Sequence, residues 1–481
     1  MREGRRLTQQ HLAAAGAAAS LVAVGAGSVA ARQSGLPQWW PWGPDAVATD
    51  ALGVVDWLWP TTVWMLALVA LVAAWLGLVQ RARAGLVTTV GVAVVAGLWA
   101  APFVVGPPLA SRDVFSYAAY GQIAADGLDP YEVGPDVLPE TPLTAAVDPL
   151  WDDTPSVYGP GFLTIAEATA RLAGDDYHAT VLLLRLVALA GLALAGLGVA
   201  DIARSRGHDP AVAIALVLAN PITLVHLVSG AHNEALMIGL LAVGVAAAAR
   251  GRWLVGIAVT TVGATVKFPA LVAAGFIAIW QARATTGAVG RTRIVGTGAA
   301  LSLALLAGAG AVTGYGFDWV ATLDDGTDVF SYLSVTSLLG ALLSATPLLH
   351  AVGLATAAVL TMRWLAQDDA DPGHLGAALL AIALLGPVVH PHYLLWGGVL
   401  LAATATTARM WWVVVPTVVA TFAVLPAAVG PELADQPVGA IIVAVLVVVV
   451  AMAVASRALL DRSAHGVDAT VDVDDLARHP G

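Results

Sequence analysis

A handful of short stretches in this chain gather residue types that can act on a sugar or a phosphate. The first is Ser111-Arg112-Asp113-Val114-Phe115-Ser116-Tyr117-Ala118-Ala119-Tyr120. Ser111 reads as a helix N-cap, and the helix should run to about Asp126 before Gly127 stops it. Helical spacing then puts Asp113, Tyr117 and Tyr120 on one face. One carboxylate beside two rings with hydroxyl tips suits a carbohydrate, whose CH groups stack on rings while its hydroxyls bond the carboxylate. The plain alternative is that Asp113 only complements the helix amino terminus.

Two turns follow. Gly127-Leu128-Asp129-Pro130-Tyr131 is a turn by its Gly and Pro content, and it offers Asp129 and Tyr131. Tyr158-Gly159-Pro160 adds another ring and leads into an amphipathic stretch, 161–173, read as an interfacial helix. Asp152 and Asp153 are adjacent acids without the further ligands a metal site needs.

Asn220-Pro221 opens a segment with His226, Ser229, His232, Asn233 and Glu234. His232 and Asn233 can bond sugar hydroxyls or a phosphate. Equally, Asn233 reads as a cap with Glu234 in the first helical turn. His226 reads as bonding a backbone carbonyl of a neighbouring helix. Lys267 is the only lysine and sits between two short apolar segments. An ionisable group in such a place is a functional candidate by default, and a cation there could hold a lipid-linked phosphate. The alternative is a lysine snorkelling from a helix end. Arg185 is a second candidate cation for the phosphate. His390-Pro391-His392-Tyr393 supplies two imidazoles, fitted to act as a general base or a phosphate donor, or to have no role. His-X-His could ligate a metal in extended backbone. No third ligand stands near it in sequence, so no metal and no cofactor are expected.

The elements that must hold these residues are apolar helices. Hydrophobic residues make up 58% of the 481 and charged residues 11%, too few to solvate a soluble protein of this length. The net charge of −11 excludes a basic surface for nucleic acid, and the absence of cysteine excludes disulfides and thiolate chemistry. Apolar stretches occur near 11–31, 61–79, 86–106, 179–200, 211–229, 235–249, 253–266, 268–282, 294–313, 347–365, 374–389, 393–408, 411–429 and 437–456. They predict an all-α polytopic membrane protein with about 12–14 transmembrane helices, the short pair 253–266 and 268–282 reading as a hairpin.

With Arg2, Arg5 and Arg6 inside, most basic residues fall on the cytoplasmic side. Only Arg32, Arg112, Arg171, Arg185 and Lys267 fall on or near the outer side. The opening segment, with Ser28-Val29-Ala30 at its end, also has the form of a cleavable signal peptide, though its apolar run is long for one. The largest outer loops, 107–178 and 314–346, are acidic, which places the chemistry on the outer face. Residues 1–462 read as one transmembrane catalytic domain. Residues 463–481 read as an acidic cytoplasmic tail too polar to pack.

Taken together, these stretches resemble the polyprenol-phosphate-mannose-dependent α-1,6-mannosyltransferases of actinobacteria, in the glycosyltransferase-C superfamily. The resemblance rests on Asp113 to Gly121, Gly127 to Tyr131, Tyr158-Gly159-Pro160, Asn220-Pro221 with Gly230 to Glu234, Val266 to Pro269, and Pro391 to Trp396. It implies a glycosyltransferase-C fold of the cytoplasmic membrane. It also implies a polyprenyl-phosphate-mannose donor, a lipid-anchored mannan acceptor on the outer face, α-1,6 linkages in lipomannan assembly, inversion, and no divalent metal. The family's acidic residue lands on Asp113 and its lysine on Lys267. Two places depart from the pattern: Glu234 stands where Asp is expected, and His390-Pro391-His392 where Gln-Pro is expected. Those departures leave the subfamily and linkage open.

The mechanism expected is a single displacement. Asp113 is the first candidate base and His392 or His390 the second. Lys267, with Arg185, neutralises the leaving phosphate, and Tyr117, Tyr120 and Tyr131 orient sugars. Two alternatives stand beside this: the same superfamily acting on another polyprenyl-phosphate sugar such as arabinose, or a lipid or sugar transporter. A transporter would place its charges near the bilayer midplane, not at its edge.

Overall fold

The computed structural model describes residues 2–33, 39, 54–174, 176–322, 331, 333–367 and 369–423. The expected stretch 437–456 and the acidic tail lie outside the described residues. Among the described residues helices are the regular secondary structure and no strand occurs, as the apolar pattern predicts. The helices are α1 (Arg2–Gln33), α2 (Val54–Arg83), α3 (Thr89–Val105), α4 (Asp113–Ala125), α5 (Pro160–Ala173), α6 (Tyr177–Ser205), α7 (Pro210–Val217) and α8 (Glu234–Ala249). They continue with α9 (Trp253–Ala264), α10 (Ala270–Arg283), α11 (Ala288–Thr313), α12 (Asp318–Ala321), α13 (Val335–Leu343), α14 (Thr346–Leu365), α15 (Pro372–Leu385), α16 (Leu394–Ala403) and α17 (Thr407–Phe422).

Five of these, within α1, α2, α6, α11 and α14, are long and apolar enough to cross a bilayer. Several other expected crossings form shorter apolar helices. At 1.5 Å per residue the 12-residue α9 is shorter than the ~30 Å hydrocarbon core. It turns back into the 14-residue α10, the hairpin that the sequence suggests.

The stretch 211–229 is broken. Pro221 has no N–H to continue α7, and a π-helical segment, Thr223–Ser229, follows. Side chains satisfy the backbone groups that the break frees. Asn220 donates to Leu216 O (3.1 Å) and to Thr417 Oγ1 (3.0 Å), and its Oδ1 accepts from Ile222 N (2.9 Å). Thr223 donates to Val217 O (2.7 Å). The π-helical segment and α8 then meet at 109°. Irregular backbone in an apolar protein is tolerated where neighbours re-satisfy it, as here. Ala231, in the bend, is held at φ +49°, a strained value for a residue with a Cβ.

α6 and α8 pack with their backbones close. A Cβ on Gly191 would lie 2.4 Å from Ala235 O, so only glycine permits this approach. α5 lays Phe162, Leu163, Ala166 and Ala170 inward and packs against α4, while Leu172 stays exposed.

Four arginines of the short connections gather at one end. Arg206 bonds Ala370 O, Arg283 bonds Gln367 O, Arg250 pairs with Asp201, and Arg409 pairs with Asp371. The connections after α6, α10 and α14 and before α17 therefore meet. α6 runs from that end to its start at Tyr177, beside the other set of loops.

Candidate active site

α4 begins with Asp113 itself. Ser111 does not cap by the expected geometry, since Arg112 is the capping residue. Instead Ser111 Oγ donates to Asp113 Oδ1 (2.8 Å) and accepts from Asp113 N (3.1 Å). The helix ends at Ala125, and Gly127 at φ +80° turns the chain, as expected.

The other face of the site comes from the break between the π-helical segment and α8. His232 Nδ1 lies 3.4 Å from Asp113 Oδ2 and 3.3 Å from Tyr117 Oη. Asn233 precedes α8 but makes no capping bond. Both of its amide atoms are buried without a hydrogen-bond partner among the described residues. Glu234 follows, fully buried, and its Oε1 bonds the Lys267 ammonium. The same oxygen lies 3.4 Å from His392 Nε2. Leaving either member of a buried ion pair alone is costly, so this contact explains how a lone lysine is tolerated among apolar helices.

Lys267 sits in the α9–α10 turn. Its ammonium lies 4.6 Å from the Tyr393 ring centroid and 5.9 Å from those of Tyr158 and Trp396. Tyr393 and Trp396 stack at 4.2 Å. The loop before α5 docks on this turn, with Gly161 N donating to Thr265 O (2.9 Å). A Cβ on Gly159 would lie 2.2 Å from Thr265 O, so Tyr158-Gly159-Pro160 and the lysine turn meet only because Gly159 lacks one. The loop histidines stack: His392 on His232 at 3.8 Å, and His390 on His392 at 5.4 Å.

The expected site residues thus divide. Asp113, Tyr117, Tyr158, His232, Lys267 and His392 form one cluster, with His390 and Asn233 beside it. Tyr120, Asp129 and Tyr131 brace that cluster. Tyr120 Oη donates to Thr154 O (2.7 Å), Tyr131 Oη to Tyr158 O (2.7 Å), and Asp129 caps the turn at Tyr131 N (2.9 Å). Burial, then the neighbouring Tyr315, pushes the Tyr131 phenol up, so it stays a neutral donor. Arg185 stands apart. Its guanidinium is buried and bonded to Val104 O (2.7 Å), Gly106 O (2.6 Å) and Ser229 O (2.7 Å). Those bonds tie the chain leading to Asp113 onto the π-helical segment. The fit is that of a latch, not of a phosphate ligand.

Four members were not selected from sequence as site residues: Tyr393 and Trp396 beside the ammonium, Glu234, read as a first-turn acid, and His226, read as bonding a carbonyl. The clue to Glu234 was Lys267, since a cation among apolar helices demands an acid. His226 is buried in the π-helical segment with Nδ1 unpartnered, and its ring lies 5.5 Å from that of His392.

A sequence profile described as Alpha-(1->6)-mannopyranosyltransferase, N-terminal domain, matches residues 13–283, more than half of the chain. The chain belongs to the alpha-(1->6)-mannopyranosyltransferase family. The profile of the MptB C-terminal domain matches residues 306–457. Among similar proteins, "Probable alpha-(1->6)-mannopyranosyltransferase" of Mycolicibacterium smegmatis is 36% identical over 358 residues, 64% of each chain. An alpha-(1->6)-mannopyranosyltransferase of Mycobacterium tuberculosis is 34% identical over 382 residues, again 64% of each. Alpha-(1->6)-mannopyranosyltransferase B of Corynebacterium glutamicum is 30% identical over 354 residues, 64% of this chain and 58% of the relative. The matches therefore span somewhat less than two thirds of these relatives. No solved structure matches.

Proposed function

We propose that this protein is a membrane glycosyltransferase that moves mannose from polyprenyl-phosphate-mannose to a lipid-anchored mannan, forming α-1,6 linkages with inversion. The observation that carries this reading is one cluster holding a partly exposed carboxylate, Asp113, against a buried ammonium and aromatic rings. Asp113 is 27% exposed at its side chain and Glu234 is 0%, so Asp113 is the carboxylate that an acceptor can reach.

The acceptor hydroxyl oxygen forms a bond to the anomeric carbon while the bond from that carbon to the phosphate oxygen breaks. Its proton passes to Asp113, and the electron pair leaves with the polyprenyl phosphate. Lys267 offers three donors, of which Glu234 engages one, leaving capacity for a phosphate oxygen. Tyr158, Tyr393 and Trp396 around the ammonium give the sugar apolar faces to stack on. Tyr117 orients His232 beside the base.

The active site is proposed to face outward from the cytoplasmic membrane, because the arginine-rich connections meet at the other end of α6. The partners are then the donor lipid, the mannan acceptor and the surrounding lipids, with no nucleic acid.

The test is consumption of labelled polyprenyl-phosphate sugars by membranes containing the protein and a lipid-anchored mannan. Mannose is expected to enter the acceptor. Arabinose incorporation with mannose refused would overturn the assignment of the sugar. Passage of lipid or sugar across the membrane without any new glycosidic bond would overturn the assignment of a transferase.

A further inference from the structure

His226, His232 and His392 come from three separate segments, and one ring nitrogen of each lies within 4.8 Å of the other two. All three side chains are buried. Their other contacts have a pattern. His232 turns Nδ1 toward Asp113 Oδ2 (3.4 Å) and Glu234 Oε2 (3.8 Å), which leaves Nε2 buried and unpartnered. His392 turns Nε2 toward Glu234 Oε1 (3.4 Å), which leaves Nδ1 buried and unpartnered. His226 Nδ1 is buried and unpartnered too. In His232 and His392 a carboxylate stands at one ring nitrogen and the other is left free, which is how metal-bound imidazoles are oriented. Three buried orphan nitrogens are otherwise an expense that a fold avoids.

The backbone is shaped to bring these rings together. His226 lies in a π-helical segment, a form concentrated at functional sites. Ala231, next to His232, takes a strained positive φ. A Cβ on Gly230 would lie 2.8 Å from the backbone oxygen of His226 and 3.0 Å from His232 Cδ2, so the tight bend between the two histidines favours glycine there.

We propose that His226, His232 and His392 bind one divalent transition-metal ion of the zinc class, each through one ring nitrogen. Imidazole nitrogen suits such an ion and does not suit magnesium or calcium. A tetrahedral zinc with bonds of ~2.0–2.1 Å sets its nitrogens about 3.3 Å apart, and one nitrogen of each ring already lies within 4.8 Å of the others, so binding requires His232 and His392 to leave their stacked arrangement. Three protein ligands make an open set, with a fourth position for water or a substrate oxygen. Asp113 and Glu234 supply two negative charges beside the trio against the single charge of Lys267, so the surroundings favour a dication. The sequence alone argued against a metal because His390 and His392 lacked a third ligand. The third and second ligands are His226 and His232, more than 150 residues earlier in the chain, and His390 is not part of the set.

The test uses the full chain, purified in detergent with a tag that contains no histidine run. It is stripped with a chelator, reloaded with zinc and assayed for bound metal. The expected result is about one zinc per chain, reduced at least fivefold in His226→Ala and in His392→Ala and retained in His390→Ala. Wild-type protein loaded with Cu²⁺ gives a reading that needs no variant: pulsed electron spin resonance should count three imidazoles on the ion. Monodisperse wild type that takes up no zinc, zinc retained in His226→Ala, or fewer than three imidazoles on the copper would each overturn the proposal. These readouts do not involve sugar transfer, so they stand or fall apart from the proposed function.

Discussion

Glu234 holds Lys267 across 33 positions of sequence, its carboxylate fully buried at the first turn of α8 and bonded to an ammonium in the α9–α10 turn. The contact does two things at once. It makes a charge affordable among apolar helices, and it fixes the cation beside Tyr158, Tyr393 and Trp396. Glu234→Gln should therefore lose stability by about 3–5 kcal/mol, the usual cost of orphaning one member of a buried pair. Glu234→Gln combined with Lys267→Met should recover part of that loss. Thermal unfolding of the two singles and the double in detergent checks this; additive losses would show that the pair is not coupled.

Asp113 should behave differently, because it is partly exposed and its removal orphans no buried cation. Asp113→Asn is expected to slow mannose transfer by at least about 100-fold. Its unfolding should shift by no more than about 1 kcal/mol. Both follow from one preparation by a transfer assay and a melt. Transfer near the wild-type rate would remove Asp113 as the base.

Arg185 separates structure from chemistry. Arg185→Leu leaves the carbonyls of Val104, Gly106 and Ser229 without their donor, at about 1–3 kcal/mol for each buried group left unsatisfied. Activity should fall in step with the folded fraction, with KM for the donor lipid unchanged. A raised KM in fully folded protein would return Arg185 to the phosphate site.

At the other end of the molecule, Asp371 caps α15 and pairs with Arg409. Burial pushes its carboxyl up, but the Arg409 guanidinium and the Gly373 N–H outweigh burial and hold it below the usual aspartate value. A depressed folded pKa contributes stability above the unfolded value, about 3.9, which is lost as pH falls through the folded value. Asp371→Asn should melt below wild type at pH 7, and the gap should close as the pH is taken below about 4. A gap that is constant with pH would rule out the ion pair as its source.

The membrane body was legible because its signal is additive: composition, apolar run length and arginine placement each sum over many residues. So were the local motifs. The end of α4 at Gly127 and the turn at Asp129 are set by near neighbours, and both stand where the residues predict. The helix lengths were less legible. The break after Pro221 divides the apolar run 211–229, which hydropathy alone reads as one crossing, because run length does not register where backbone bonds are re-satisfied by side chains such as Asn220 and Thr223.

The sequence by itself determined that this is a polytopic helical protein with sugar- and phosphate-binding residue types at the helix ends, and it marked Lys267 as a charge needing a partner. Only the tertiary structure decided which partner. Glu234 and Lys267, Asp113 and His232, and His226 and His392 meet through packing of separate segments, and burial turns each meeting into an energetic requirement. Arg185 shows the converse, since its chemistry suited a phosphate and its surroundings gave it to the backbone. A side chain's type states what it can bond; the fold decides what stands within 3 or 4 Å of it once water is excluded, and so which of those bonds it makes.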